Sequence, residues 1–168
     1  MGALYLPTLE TEQLILRPLT INDAPALFAY ASDPAVTQFT DWKQHCSLKE
    51  TASFIQKITT PLWGIEHKEY GLIGECGFVQ RSAETADIQC AIAPAYWGNG
   101  LATQALNHLI AFSFAEYHYQ HLQSWVIADN VRSCALARKL GMKHETTLHE
   151  YWYTGTHVHD VYIFNISR

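Results

Sequence analysis

The chain has 168 residues, of which 48% are hydrophobic and 16% are charged, and its formal net charge is −5 at pH 7. This composition excludes a disordered chain and predicts a substantial hydrophobic core. The length predicts a single domain over residues 1–168. The negative charge argues against a nucleic-acid-binding protein, which usually carries a basic patch.

The four cysteines are too far apart in sequence to form a zinc or redox motif. They are Cys46, Cys76, Cys90 and Cys134. Scattered cysteines favour a reducing compartment. The first ten residues lack the basic and apolar regions of a signal peptide, and no apolar run approaches the roughly 20 residues of a membrane span. We therefore expect a cytoplasmic protein without a metal ion, a membrane or a nucleic acid as partner.

The spacing of apolar residues predicts seven strands and four helices in the order β-α-α-β-β-β-α-β-α-β-β. The predicted strands cover 14–17, 62–66, 72–80, 86–92, 122–128, 143–153 and 159–166. The predicted helices cover 24–32, a segment from the capping box at 47–50 to the stop at 59–61, 103–117 and 129–140. Residues 35–46 are expected to be irregular. This order is typical of a mixed α/β domain with a mainly antiparallel twisted sheet.

Two glycines separated by Asn99 lie where a predicted strand passes into an amphipathic helix. Gly98 and Gly100 can adopt positive φ and leave the backbone open to a ligand. The first amides of a helix lack backbone partners, and the helix dipole favours an anion there. The turn therefore has the features of a phosphate-binding loop, although so short a pattern is also common in ordinary turns.

Five parts of the chain together resemble the GNAT superfamily of acetyl-CoA-dependent N-acetyltransferases, and in particular its RimJ/RimL branch. They are L-I-L-R-P-L at 14–19, Y-W-G-N-G-L-A-T-Q-A-L at 96–106, N-V-R-S at 130–133, L-G-M at 140–142 and the closing pair E-Y-W-Y-T-G and H-D-V-Y-I-F. The resemblance implies the GNAT fold. It also implies direct transfer of an acetyl group from acetyl-CoA to a primary amine in a ternary complex. A non-catalytic acyl-CoA-binding regulatory module of the same fold is the alternative.

Three positions depart from the superfamily pattern. Trp97 stands where the wider superfamily has Gln or Arg, and Met142 stands where Phe is usual. Ala137 stands where many members have the tyrosine that protonates the leaving thiolate. The resemblance therefore implies a different acid for the thiolate.

The resemblance also implies the residues that hold the cofactor. The loop that receives the pyrophosphate consists of Trp97, Gly98, Asn99, Gly100, Leu101, Ala102 and Thr103. Asn130 and Ser133 are expected beside the pantetheine arm, and the backbone N–H of Ile92 is expected to stabilise the oxyanion. Ser133 is the candidate acid for the thiolate. The plain alternative for Asn130 and Ser133 is a helix cap.

The attacking amine must lose a proton, which a carboxylate usually accepts directly or through water. Glu150 in the closing hairpin, Asp87 on the strand before the glycine turn and Glu75 on the preceding strand are the three candidates. Each residue type is also common as a solvated strand side chain. We favour Glu150 over Asp87 and leave the base undecided among the three.

The acceptor amine is the part of the reaction on which the motifs carry no information. A protein N-terminus, a polyamine, an antibiotic amine and another small amine remain open, and a homodimer is one option for assembly. The side chains proposed for the acceptor pocket are aromatic: Phe39, Trp42 and Trp152. His157 and His159 share one face of a strand, but no third ligand accompanies them, so a surface or pocket position is favoured over a metal site.

Overall fold

Residues 6–168, which the computed structural model describes, form eight strands, five α-helices and two short 3₁₀ helices. The strands are β1 Leu9–Glu10, β2 Leu14–Pro18, β3 Leu62–His67, β4 Gly71–Gln80, β5 Thr85–Ile92, β6 His121–Ile127, β7 Lys143–Thr154 and β8 His157–Ser167. The α-helices are α1 Ala24–Ala31, α2 Pro34–Thr37, α3 Leu48–Gln56, α4 Leu101–Glu116 and α5 Val131–Lys139. The 3₁₀ helices are Ile21–Asp23 and Pro94–Tyr96.

The strands form one sheet in the order β1-β2-β3-β4-β5-β6-β8-β7. The neighbours β5 and β6 run parallel from the Thr85–His121 pair to the Asp87–Gln123 pair. Five other neighbouring pairs are antiparallel. The predicted α/β class and mainly antiparallel sheet are therefore confirmed, and all seven predicted strands and four predicted helices are present.

Besides the two 3₁₀ helices, one short α-helix and one short strand were not predicted. Residues 35–37 belong to α2 rather than to an irregular segment. Pro34 occupies the first helical position, where its missing N–H costs nothing, and the Asp33 side chain accepts a hydrogen bond from the Ala35 N–H at 2.8 Å. The same Asp-Pro pair that ends α1 therefore starts a second helix. The other addition, β1, has two residues, which is too short for an alternating pattern to show.

The chain divides into two compact units, and each is described separately. The first unit comprises the residues up to Phe78 together with Cys90–His108. Its strands β2 and β3 pair from Leu14–His67 to Pro18–Trp63. The alternate side chains of Leu14 and Leu16 are fully buried, as period-two strands with one inward face require.

The helices of the first unit pack around a cluster of buried side chains. The cluster consists of Leu27, Tyr30, Ala31 and Val36. Partly buried apolar residues surround it, among them Trp42 and Phe54 from the α2–α3 region and Trp97 from the glycine turn. The helical region and the glycine turn therefore share one small core.

The second unit comprises Val79–Gln89 and Leu109–Arg168. Strand β6 lies between β5 and β8, and β8 pairs antiparallel with β7. Helix α5 ends as predicted at Gly141, which has φ +81°. The Gly141 N–H donates to Arg138 O and the Met142 N–H donates to Ala137 O, both at 3.0 Å. These two bonds form a Schellman motif, which turns the chain sharply into β7.

Candidate functional site

The glycine turn of the first unit adopts the conformation that its two glycines permit. Gly98 has φ +79° and Gly100 has φ +75°, both in the left-handed region. A Cβ atom added at either position would meet no other heavy atom within 4 Å. Space therefore does not require glycine there, but the backbone conformation does. The open surface above both residues leaves the loop accessible to a ligand.

Helix α4 begins directly after this turn. The Gln104 N–H donates to Gly100 O at 3.0 Å, so the helix starts at Leu101, two residues earlier than predicted. Gly100 precedes the helix and has no side chain to cap the first amides. The N–H groups of Leu101, Ala102 and Thr103 are therefore the unpaired donors of the first turn. They give this 16-residue helix an anion-binding end.

Trp97 holds the turn against the end of β5. Its indole Nε1–H donates to the carbonyl oxygen of Ile92 at 2.7 Å, and its ring packs against the cluster around Tyr30. The side chain therefore has a structural role that the sequence pattern did not show. The side chain of Asn99 is exposed and donates to Trp97 O at 3.3 Å.

Ile92 ends β5 with its side chain buried. The next residue, Ala93, donates its N–H to Ile73 O on β4 at 2.8 Å. Because successive N–H groups of a strand point to opposite edges, the Ile92 N–H points away from β4. This direction is the one that an oxyanion donor outside the β4 ladder requires.

Glu75 is buried on β4, at the same end of the first unit. The Tyr30 hydroxyl donates to Glu75 Oε2 at 2.6 Å, and both side chains are buried. Burial raises the pKa of Glu75 to about 7, although the hydrogen bond from Tyr30 acts in the opposite direction. Burial and the nearby carboxylate hold the pKa of Tyr30 well above its usual value, so this hydroxyl keeps its proton. Glu75 is therefore a carboxyl group that exchanges a proton near neutral pH.

Gly74 brings the strand of Glu75 close to the end of β5. A Cβ atom at Gly74 would lie 2.2 Å from the Ala91 carbonyl oxygen and 2.9 Å from the Ile92 Cα. Only glycine allows this approach between the two backbones. Glu75 is therefore the residue directly after Gly74, whose backbone lies close to Ile92.

The second unit contains Asn130 and Ser133 at the start of α5. Asn130 is the N-cap residue, and its Oδ1 accepts a hydrogen bond from the Ser133 N–H at 3.2 Å. The helix-cap role is therefore present. The Ser133 hydroxyl makes no hydrogen bond to another group within residues 6–168, and the residue is partly exposed. Asn130 thus positions Ser133 through the backbone and leaves its hydroxyl free to act.

Asp87 forms an ion pair at the start of β5. Its Oδ2 accepts from Arg81 Nε at 2.5 Å, while Oδ1 is buried and has no hydrogen-bond partner in the described chain. Burial raises the pKa of Asp87, and the Arg81 guanidinium opposes that rise. One oxygen of this carboxylate is therefore occupied by Arg81, and the other is enclosed.

Glu150 lies on a bulge of β7, between Leu148 and Trp152 in the register with β8. It is exposed and has φ +50°, a conformation that few residues with a side chain adopt. Its N–H donates to Asp160 Oδ1 at 2.9 Å, which holds the bulge. Glu75 and Asp87 are buried, whereas Glu150 is exposed. Glu150 as the base stays a prediction.

Sequence reasoning missed a chain of hydrogen bonds that is centred on His159. Asp129 Oδ2 lies 2.5 Å from His159 Nδ1, and His159 Nε2 lies 2.6 Å from Thr154 Oγ1. These residues come from the turn before α5, from β8 and from the end of β7. Asp129 and His159 are 30 residues apart, so no local sequence pattern predicts the contact between them. His157 and His159 stack at 6.4 Å, and residues 6–168 contain no group of three metal-ligating side chains.

The three aromatic residues that were proposed for the acceptor pocket do not all belong to one unit. Trp42 packs against the Tyr30 cluster of the first unit. Its ring lies 5.8 Å from His45, which lies 5.6 Å from Phe54. Phe39 is partly buried in the first unit, whereas Trp152 belongs to β7 of the second. Phe54 is the aromatic residue of this region that the sequence reasoning did not name.

Comparison with known families decides what these features belong to. Residues 13–143 match the acetyltransferase (GNAT) domain model, and they include the glycine turn, Glu75 and the Asn130–Ser133 pair. The chain belongs to this GNAT family. The GNAT chain is 31% identical over 172 residues to the uncharacterized N-acetyltransferase YoaA of Bacillus subtilis (strain 168). That alignment covers 96% of this chain and 97% of YoaA. The protein is therefore an acetyl-CoA-dependent acetyltransferase.

Solved structures confirm the fold of this GNAT chain. Spermidine N-acetyltransferase from Vibrio cholerae, in complex with CoA and spermine, matches with TM-score 0.83 and 21% identity, over 94% of this chain and 96% of that one. The ribosomal L7/L12 alpha-N-protein acetyltransferase RimL, in complex with coenzyme A, matches with TM-score 0.84 and 21% identity, over 94% and 95%. At this identity the structures show a shared fold.

No helix within residues 6–168 is both long and apolar enough to cross a membrane.

Proposed function

We propose that the protein transfers the acetyl group of acetyl-CoA to a primary amine by direct attack within a ternary complex, with Glu75 as the general base. The observation that carries the assignment of the base is the buried Tyr30–Glu75 contact in a chain of the GNAT family. A base that titrates near neutral pH is matched to this task, because it is deprotonated at working pH and still accepts a proton readily.

The cofactor is held by backbone groups in the first unit. The amides of Leu101, Ala102 and Thr103 bind the pyrophosphate, and the positive φ of Gly98 and Gly100 presents them to it. Neighbours of the same fold were solved with CoA, which supports this choice of ligand. Trp97 supports the loop through its bond to Ile92.

The reaction needs three further groups. Glu75 takes a proton from the ammonium group of the acceptor, and the neutral amine then attacks the thioester carbon. The N–H of Ile92 stabilises the oxyanion that forms. The carbon–sulfur bond breaks as the tetrahedral intermediate collapses, and the Ser133 hydroxyl gives its proton to the departing thiolate. The second proton that the nitrogen loses as the amide forms returns through solvent to Ser133. Ala137 leaves the usual tyrosine position without an acid, and this supports Ser133 in that role.

The acceptor is a protein N-terminal amine or a small-molecule amine. Both kinds of acceptor have a counterpart among neighbours of this fold, since RimL is named as an α-N-protein acetyltransferase and the Vibrio cholerae enzyme as a spermidine N-acetyltransferase. We place the protein in the RimJ/RimL-like branch, in the cytoplasm, as one domain over residues 1–168. A homodimer stays a prediction.

A thermal-shift and thiol-release experiment tests the proposal. Acetyl-CoA is expected to raise the melting temperature, and at least one amine in a panel of N-terminal peptides, polyamines and aminoglycosides is expected to release free CoA. A melting shift without CoA release from any amine would favour the non-catalytic acyl-CoA-binding module. The absence of a melting shift would remove acetyl-CoA as the ligand.

A further inference from the structure

An open groove of about 540 Å³ lies in the helical region of the first unit. Trp42, Phe54 and three lysines are among its lining residues; the lysines are Lys43, Lys49 and Lys57. They make up half of the chain's six lysines, in a protein whose formal net charge is −5. Positive charge is therefore concentrated on one short segment of an otherwise acidic chain.

The three lysines are not neutralised by the protein itself. None of them forms an ion pair with another side chain in the part of the chain described by the structure. Glu50 is the one acidic residue that lines the groove, and its carboxylate accepts a hydrogen bond from the Cys46 N–H at 2.7 Å. The groove therefore has an excess of positive charge that a ligand can meet.

Helix stability does not account for the position of Lys49. Lys49 occupies the first turn of α3, where the helix dipole disfavours a cation. Lys49 and Ser53 lie four residues apart on one face of α3, and the C-cap residue Lys57 follows at the same interval; all three line the groove. Eight residues of helix rise about 12 Å, the length of about four residues of extended peptide.

The groove is continuous with the core that carries the proposed base. Trp42 and Phe54 line the groove and also pack against the cluster that contains Tyr30. The Tyr30 hydroxyl in turn holds Glu75. A ligand segment in the groove would therefore lie against side chains that pack on the cluster containing Tyr30.

We propose that this lysine groove binds an acidic stretch of a polypeptide acceptor, next to the amine that becomes acetylated. The proposal rests on the proposed function and narrows its acceptor from amines in general to the N-termini of acidic polypeptides. An open groove of this length suits an extended chain, whereas a small amine is usually enclosed more fully. A polycation such as spermine would meet three like charges there.

Three peptides that differ only at positions two to five test the proposal. These positions are Asp, Asn or Lys, and each peptide has the same free N-terminal amine. The Asp peptide is expected to have a KM about tenfold lower than the Asn peptide, with a similar kcat, because three exposed ion pairs form in the complex. Added salt should reduce the difference. Equal KM values for the Asp and Asn peptides, or a lower KM for the Lys peptide, would overturn the proposal.

Charge-removal variants assign the preference to the groove. The variant K43Q/K49Q/K57Q should lose the tenfold difference and keep its activity on the Asn peptide. The control variant K139Q/K143Q/R168Q removes the same charge from exposed residues of the second unit and should keep the difference. A preference that survives in the groove variant, or that the control variant also loses, contradicts the proposal.

Binding measured without turnover separates this inference from the proposed function. Fluorescence anisotropy of the labelled Asp peptide should show binding that the groove variant loses. If this binding occurs but no peptide is acetylated, the proposed function fails and the acidic occupant of the groove stands. If the peptides are acetylated without charge preference, the proposed function stands and the groove proposal fails. Tighter binding of a single-stranded oligonucleotide of equal charge would also overturn it.

Discussion

The hydroxyl of Tyr30 on α1 donates a hydrogen bond of 2.6 Å to the carboxylate of Glu75 on β4, and both side chains are buried. The two residues are 45 positions apart in sequence. Their contact places a titratable group beside the apolar cluster that supports both the glycine turn and the lysine groove. Burial of a carboxyl group is costly unless the group is protonated or hydrogen-bonded. Glu75 is hydrogen-bonded to Tyr30, and it is also protonated at pH values below its pKa of about 7.

Glu75→Gln should change how the stability of the protein depends on pH. The pKa of Glu75 is raised from 4.5 to about 7 in the folded state, so the folded state binds more protons between these values. The stabilisation of the folded state by proton binding at Glu75 is fully present below about pH 4.5 and is lost as pH rises to about 7. The variant should therefore gain up to about 3 kcal/mol in free energy of unfolding relative to the wild type between pH 4.5 and 8. Urea denaturation at several pH values measures this difference. If the free energies of unfolding of the two proteins differ by the same amount at every pH, the raised pKa of Glu75 is contradicted.

Tyr30→Phe should move the titration of Glu75 upward. The hydrogen bond from Tyr30 lowers the pKa of Glu75, so its loss leaves burial unopposed. The pH at which kcat rises is expected to increase, and the KM for acetyl-CoA should stay unchanged. A purely structural role would lower the melting temperature and leave the inflection in kcat where it is. The pH dependence of kcat in both proteins distinguishes the two outcomes.

Gly100→Ala should weaken acetyl-CoA binding more than it weakens the fold. The residue has φ +75°, so a side chain costs about 1 kcal/mol of backbone strain there, without a steric clash. Relaxation of the loop would turn the first amides of α4 away from the pyrophosphate. Gly155→Ala is the matched control, because Gly155 has φ +59° and an equally open surrounding in the second unit. Isothermal titration should show weaker binding in Gly100→Ala alone. Equal affinities in the two variants would remove the turn from the site.

Ser133→Ala should reduce kcat without destabilising α5. The substitution keeps the backbone N–H that bonds to Asn130 Oδ1 and removes only the hydroxyl. Asn130→Ala, in contrast, removes the cap and should cost about 1 kcal/mol of stability. Ser124→Ala on β6 is a control for loss of a serine hydroxyl in the same unit. Steady-state kinetics and thermal melts separate the effects; an unchanged kcat in Ser133→Ala would rule it out as the acid.

Features that depend on neighbouring residues were predictable from the sequence. Gly98 and Gly100 need positive φ, and the amphipathic pattern of α4 begins directly behind them. Asn130 caps α5 and Gly141 ends it, because both signals act within four residues. The family resemblance then supplied a ligand for the turn, and the match over residues 13–143 confirmed the family.

Features that depend on distant residues were not predictable. Glu75 on β4 was one of three candidate carboxylates, and its partner Tyr30 comes from helix α1, 45 positions away in sequence. Its apolar strand neighbours, in Gly71–Gln80, were the one local sign of burial. The contact between Asp129 and His159 depends on the register of β8 with its neighbours, which no spacing rule provides. The difference in environment among the three candidate carboxylates therefore depends on long-range packing, which the sequence does not show.

The pH dependence of kcat in the wild type and in Glu75→Gln tests the central claim most directly, because kcat at saturating amine reports on groups within the bound complex. The wild type should show kcat rising with pH through the pKa of Glu75, which is about 7 in the unliganded protein. The variant should lose this inflection and fall at least about a hundredfold at pH 8, which is typical when a general base is removed. The comparison variants Glu150→Gln and Asp87→Asn should keep the inflection. An unchanged kcat and inflection in Glu75→Gln, with their loss in either comparison variant, would contradict Glu75 as the base.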